Sequence, residues 1–211
     1  MNNLSNIIEN NNILYKRNIS ILKNGSLTII TGCMFSGKTT KLIEIHNHLK
    51  KIKRIKCLAI KYKLDNRYSD KSEIITHDKL NIECLSCENL NELIFNTTYY
   101  NKFIEATHLF IDEAQFFENL LTWLLYFIRT FNKHIIISGL DYDYKKQPFG
   151  QINEAKYYAT YVYQLKGKCN DCNNESIYTH RKVKSNELIL IGSDEYIPVC
   201  NDCWNKYSNT K

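Results

Sequence analysis

No stretch of the chain approaches an 18-residue apolar run, so nothing in it reads as a membrane-spanning helix. The opening residues, MNNLSNIIENNNILYKRN, also lack the apolar core of a secretory signal. They are rich in asparagine, and residues 1–24 are expected to form a flexible leader. A cytoplasmic protein is the default expectation. Charge of one sign is not concentrated either. Lys and Arg number 28 against 22 Asp and Glu, and the lysines are spread along the chain. The densest basic run, KKIKRIK at 50–56, falls where a helix should end. Cations there complement the helix dipole, so a solvated surface is favoured over a nucleic-acid patch. Without a secretion signal, the eight cysteines read as metal ligands or buried thiols before disulfides. A length of 211 residues suits one full α/β domain with a small appendage.

What is present is organised around residues 26–40, SLTIITGCMFSGKTT. A short apolar strand runs into Gly32-Cys33-Met34-Phe35-Ser36-Gly37-Lys38-Thr39, which fits G-x-x-x-x-G-K-[ST] at every defined position. Leu42, Ile45 and Leu49 then mark a helix. Strand, glycine loop and helix form a phosphate loop: backbone N–H groups and the helix N-terminus face an anion. Lys38 would reach the β- and γ-phosphates, and the Thr39 hydroxyl would ligate magnesium. The apolar run at 57–60 predicts a buried parallel strand, with Cys57 as core. The polar segment 61–72 leaves its carboxyl end and carries Asp65 and Arg67. From position alone, Arg67 is equally a surface arginine or a group holding phosphoryl charge.

THLFIDEAQFF, 107–117, reads as a buried strand ending in Asp112-Glu113, a Walker B arrangement whose carboxylate holds magnesium across from the phosphate loop. A helix is expected over 118–131, with Leu121, Leu124, Leu125 and Ile128 as core, and a strand over 134–140. The loop after that strand carries Tyr142, Tyr144, Phe149 and Gly150. Its aromatics either stack on a planar base or pack the loop down, and pattern alone slightly favours packing. A brief helix at 153–158 and a strand at 161–165 complete a phosphate-loop parallel sheet flanked by helices, placed at 25–166. Cys84 and Cys87 form a CxxC pair without a turn residue, so core positions outweigh metal ligands for them.

Residues 167–211 are too few for an independent apolar core. They hold Cys-Asn-Asp-Cys twice, at Cys169/Cys172 and Cys200/Cys203, around short strand-like segments. Two such knuckles predict tetrahedral thiolate zinc in a zinc-ribbon-like domain, structural because protein fills all four positions. Free or redox thiols are the alternative.

Together GCMFSGKT, KYKLDNRYS, the THD of 76–78, FIDEAQFF, SGLDYDYKKQPFG and the two CxxC pairs closely resemble the type II thymidine kinases, cellular, poxviral and bacterial. The resemblance spans about residues 27–204. It implies transfer of the γ-phosphoryl group of ATP to the 5′-hydroxyl of thymidine, with magnesium accompanying the ATP. Glu113 matches the general base. Asp112 and Thr39 match the magnesium organisers, Gln115 falls in the same ATP and magnesium set, and Arg67 beside Asp65 matches the arginine on the phosphoryl group. The base would lie under a lasso tied down by the zinc module, against Met34, Leu140, Tyr144, Phe149, Thr179, Tyr196 and the backbone of Leu188, Ile189, Leu190, Ile191 and Gly192. The resemblance also implies a homotetramer. Two other readings remain at this point: a phosphate-loop ATPase with a protein-gripping zinc ribbon, and a nucleic-acid-binding module, which the diffuse charge disfavours.

Overall fold

A computed structural model describes residues 13–16, 24–64, 72–76, 79–183 and 194–209. In chain order its elements are β1 (Ile13–Lys16), β2 (Ser26–Thr31), α1 (Lys38–Lys50), β3 (Cys57–Tyr62), β4 (Glu73–Ile75), β5 (Asn81–Glu83), β6 (Leu85–Cys87), α2 (Glu92–Phe95), α3 (Thr97–Glu105), β7 (His108–Ile111), α4 (Leu120–Phe131), β8 (His134–Gly139), α5 (Ile152–Ala155), β9 (Tyr161–Gln164), β10 (Gly167–Lys168), β11 (Glu175–Ser176), β12 (Tyr178–Arg181), β13 (Tyr196–Val199) and α6 (Asn201–Asn209).

The central sheet has seven strands in the order β1-β9-β2-β8-β7-β3-β6. All neighbours pair in parallel except β1, which runs antiparallel along β9. Its apolar runs are continuous because both faces are covered, yet alternate residues serve different layers. Leu27, Ile29, Leu109, Ile111, Ile135 and Ile137 join Leu120, Leu124, Phe127 and Ile128 of α4 and Phe103 of α3. Ile30, Ala59, Phe110 and Ile136 join Leu42, Ile45 and Leu49 of α1 on the opposite face. Parallel register then brings strand ends together. Thr31 lies opposite Gly139 and Gln164, and Ile111 opposite Ile137 and Ile60. Gly32, Asp112 and Leu140 therefore leave the sheet at one carboxyl rim.

Several expectations need correction. Within the segment read as a leader, Ile13–Lys16 is a strand, because the open edge of β9 offers unpaired backbone groups to it. Cys57, expected as core, is half-buried near the sheet edge. Leu121 and Leu125 lie on the flank of α4, half-buried, while Leu120 and Phe127 take the central positions. The core positions expected for Cys84 and Cys87 hold: both are buried, and burial pushes each thiol up to about 12, so neither offers a thiolate. Helices α3 and α6 were not foreseen.

Candidate active site

The phosphate loop begins one residue past β2. Gly32 has φ 149, and a Cβ there would lie 2.4 Å from the Leu165 carbonyl oxygen, so only glycine fits. Phe35 and Gly37 are left-handed at φ 62 and 83, which curls the chain before α1 starts at Lys38. No acidic residue stands in the first turn of α1, so the positive helix end keeps its field toward an anion. Lys38 is buried, and its Nζ donates to the Cys33 carbonyl at 2.8 Å, which holds the amine inside the loop.

Across the rim lies the end of β7. The Thr39 hydroxyl donates to both oxygens of the Asp112 carboxylate, at 3.3 and 3.2 Å. Ser138 of β8 also donates to Asp112 through a short hydrogen bond. Two oxygen ligands on an octahedral magnesium ion stand about 2.9 Å apart, so the Thr39 and Asp112 oxygens fit such an ion with little movement.

Glu113 comes next, buried and in a left-handed conformation at φ 50. A non-glycine residue held there at a strand end is a strained position of the kind that marks functional sites. Gln115 holds its carboxylate: Nε2 donates to Glu113 Oε2 at 2.6 Å. The other end of the Gln115 amide, Oε1, accepts from Leu140 N at 3.0 Å. Gln115, read from sequence with the ATP and magnesium ligands, thus stands behind the carboxylate and links it to the 140–150 loop. Gly150 closes that loop onto the same residue: at φ 55, any Cβ would fall 2.3 Å from the Gln115 carbonyl oxygen. Phe149 is half-buried and packs edge-on against Phe116 at 5.5 Å.

The C-terminal strands are stitched to the phosphate loop. The Thr179 hydroxyl of β12 accepts from Met34 N at 3.0 Å, and the Cys33 thiol lies 3.5 Å from the Ser176 carbonyl oxygen. Tyr196 pairs with Arg181 across β12 and β13. Arg181 was not singled out in the sequence. It is buried, donates to the Tyr144 hydroxyl at 2.7 Å and lies 3.7 Å from the ring centroid. Asp65, Arg67, His77, Asp78 and the 188–192 backbone lie outside the described residues.

The Sγ atoms of Cys169, Cys172, Cys200 and Cys203 all lie within 4.8 Å of one another. Cys172 stands 3.6 Å from Cys200 and 3.7 Å from Cys203. Thiolates on one tetrahedral zinc are about 3.8 Å apart, so the four sulfurs fit a closed zinc site. Ser138, Lys146 and Arg181 escaped the sequence reading. Ser138 carried a signal, as the hydroxyl in the otherwise apolar HIIISGL run beside the rim.

These features define the class: a phosphate-loop nucleotide-binding protein with a buried carboxylate beside its anion site and a four-cysteine metal site. The family profile described as Thymidine kinase matches residues 25–204. Thymidine kinase 1 of Dictyostelium discoideum is 36% identical over 195 residues, covering 88% of this chain and 80% of that one. Thymidine kinase of Choristoneura fumiferana entomopoxvirus is 36% identical over 185 residues, covering 86% of this chain and 97% of the viral one. That of Porphyromonas gingivalis is 30% identical over 189 residues, covering 89% of each. The chain belongs to the thymidine kinase family.

Proposed function

We propose that this protein transfers the γ-phosphoryl group of ATP to the 5′-hydroxyl of thymidine, giving thymidine monophosphate. The observation that carries the reading is the position of Glu113. It is a buried carboxylate held by Gln115, one residue from the aspartate that bonds Thr39 of the phosphate loop. The family match supplies the acceptor.

Glu113 takes the proton of the attacking hydroxyl, and Gln115 fixes the direction from which it does so. Lys38 and the loop N–H groups neutralise the transferring phosphoryl group. Thr39 and Asp112 would hold magnesium, which when bound screens the charge of the phosphate oxygens. Arg67, with Asp65 beside it, is assigned to the same charge by resemblance. Met34, Leu140, Tyr144, Phe149, Thr179 and Tyr196 are assigned to the acceptor by resemblance, as are residues 188–192, and an acceptor held out of water there would leave water a poor competitor. Cys169, Cys172, Cys200 and Cys203 would hold structural zinc, bracing residues 167–211 as a lasso over the 25–166 kinase part. By resemblance the assembly is a cytoplasmic homotetramer, which sedimentation would check.

The test is a phosphorylation assay with ATP, magnesium and a panel of nucleosides. Monophosphate formed from thymidine, with little ATP consumed in its absence, is the expected result. ATP consumption indifferent to nucleosides would instead support the phosphate-loop ATPase, which the family match over 25–204 does not favour. Among the described residues, no helix is long and apolar enough to cross a membrane.

A further inference from the structure

The 140–150 loop is anchored at its ends and along its middle. Both ends rest on Gln115, through Leu140 N and the close approach of Gly150. Its middle is anchored elsewhere. Asp143 Oδ1 accepts from Lys145 N and Gln147 N at 2.8 Å each, a tight turn that leaves Lys146 left-handed at φ 61. This turn aims the Lys146 side chain at the cysteine module. Its Nζ lies 3.8 Å from the Tyr178 ring centroid and 3.9 Å from that of Trp204, and donates to Asn201 Oδ1 at 3.0 Å. Trp204 follows Cys203 directly, and Asn201 follows Cys200. Trp204 Nε1 also donates to the Tyr144 carbonyl at 3.3 Å.

We propose that Lys146 is a positioning residue for the acceptor: an ammonium clasped between Tyr178 and Trp204 that locks the 140–150 loop to the metal site and so sets the wall of the acceptor pocket. The inference rests on the kinase reading above. A molecule whose hydroxyl reaches Glu113 lies beside this loop, because both loop ends pack on the residue that holds Glu113. The phosphate loop is tied to the module separately, through Met34 and Thr179. Loss of the clasp therefore weakens acceptor binding and spares ATP binding. An ammonium between two aromatic faces is a specific fit, which a neutral polar group does not reproduce.

Lys146→Asn is the informative variant, because asparagine accepts the left-handed backbone while removing the cation and its bond to Asn201. With full-length enzyme, it raises KM for thymidine about tenfold, leaves kcat within about twofold and leaves KM for ATP unchanged. Lys146→Arg, which keeps a cation between the rings, returns KM for thymidine to within about threefold of the parent. Metal content of both variants equals that of the parent. The proposal is overturned by a parent-like thymidine KM in Lys146→Asn, by kcat or metal content falling along with it, or by failure of Lys146→Arg to rescue. A parent enzyme that does not phosphorylate thymidine sinks the functional reading instead, whereas an active parent with an indifferent Lys146→Asn sinks only the clasp.

Discussion

The two halves of the site are held by different physics. The phosphate loop and the Asp112-Glu113 pair sit on parallel strands whose side chains fill two apolar layers, one against α1 and one against α3 and α4. Removing any one methyl group there leaves dozens of others in place. Among the described residues, the cysteine module has a hydrophobic cluster with three buried members, Cys169, Val199 and Cys203, two of them thiols of the four-cysteine cluster, with Tyr178, Ile197, Trp204 and Tyr207 half-buried around them. Four sulfur atoms stand where a larger domain would have its core. The difference teaches that the phosphate-loop side is preformed by the core, whereas the cysteine module, assigned above to the acceptor, would lean on a metal held by its four cysteines.

Removing the metal tests that contrast most severely. Structural zinc contributes on the order of 10 kcal/mol to the folding of small modules. Cys172→Ser, or a strong chelator on the parent, is expected to unfold the module and abolish thymidine turnover, while far-UV circular dichroism still reports the sheet. A metal-free protein with full turnover would erase the distinction between the halves. The next largest effect belongs to the sheet half. Glu113→Gln keeps shape and removes the proposed base, so kcat is expected to fall about a thousandfold while ATP affinity holds. Single-turnover kinetics and nucleotide titration measure both, and an active Glu113→Gln enzyme would remove Glu113 from the mechanism.

The same contrast explains how much of the molecule the sequence made legible. Short apolar runs such as LTII, HLFI and HIII, bounded by polar or glycine residues, read as strands buried on both faces, and the phosphate-loop spacing fixes the turn and the helix after the first of them. The α3 segment TTYYNKFIE was missed because Phe103 is its one buried residue. Its signal was Asn96, whose side chain accepts from Thr98 N and Tyr99 N as an N-cap. In the module, α6 was missed because the second knuckle's thiols are spaced for coordination and do not mark an apolar face. Gln115 shows a further limit. A role set by contacts 25 residues away, at Leu140, leaves no local pattern, although Gly150, which packs on it, was visible. Lys146 and Arg181 were hidden for the same reason, since a cation over a ring reads in sequence as a surface charge.

A smaller prediction concerns how the sheet half closes its own helix ends. Lys133 is buried, and its Nζ donates to the carbonyl oxygens of Phe103 at 2.7 Å, Ile104 at 3.2 Å and Ala106 at 2.5 Å. It therefore caps the C-terminus of α3 with a cation. Burial pulls its amine down to about 8. Lys133→Met keeps the volume and leaves three carbonyls without this donor, so stability should fall by about 2 kcal/mol. Urea denaturation reads the loss, with kcat and metal content unchanged. A loss of metal in this variant would show that the halves are not held independently.

The smallest effect separates the halves by their response to acid. His108 and His134 stack at the amino ends of β7 and β8 with ring centroids 4.7 Å apart. Burial, with the neighbouring His134 adding to it, brings His108 down to about 4 from an ordinary value of 6.5. His134 is lowered as well, again mainly by burial. Between about pH 6.5 and 4 the unfolded chain therefore binds more protons than the folded one, and sheet stability declines as pH falls through that window. At pH 6 the decline attributable to His108 is about 1 kcal/mol, rising to about 3 kcal/mol by pH 4. His108→Gln should flatten the pH dependence of the urea midpoint over this range. The cysteine module answers acid differently, because protons compete with the metal for four thiolates. Metal release followed with a chromogenic chelator should have the same pH profile in His108→Gln as in the parent. If the histidine change moved the metal-release curve, protonation at the amino end of the sheet would be coupled to the cysteine module, and the two halves would respond to acid as one unit.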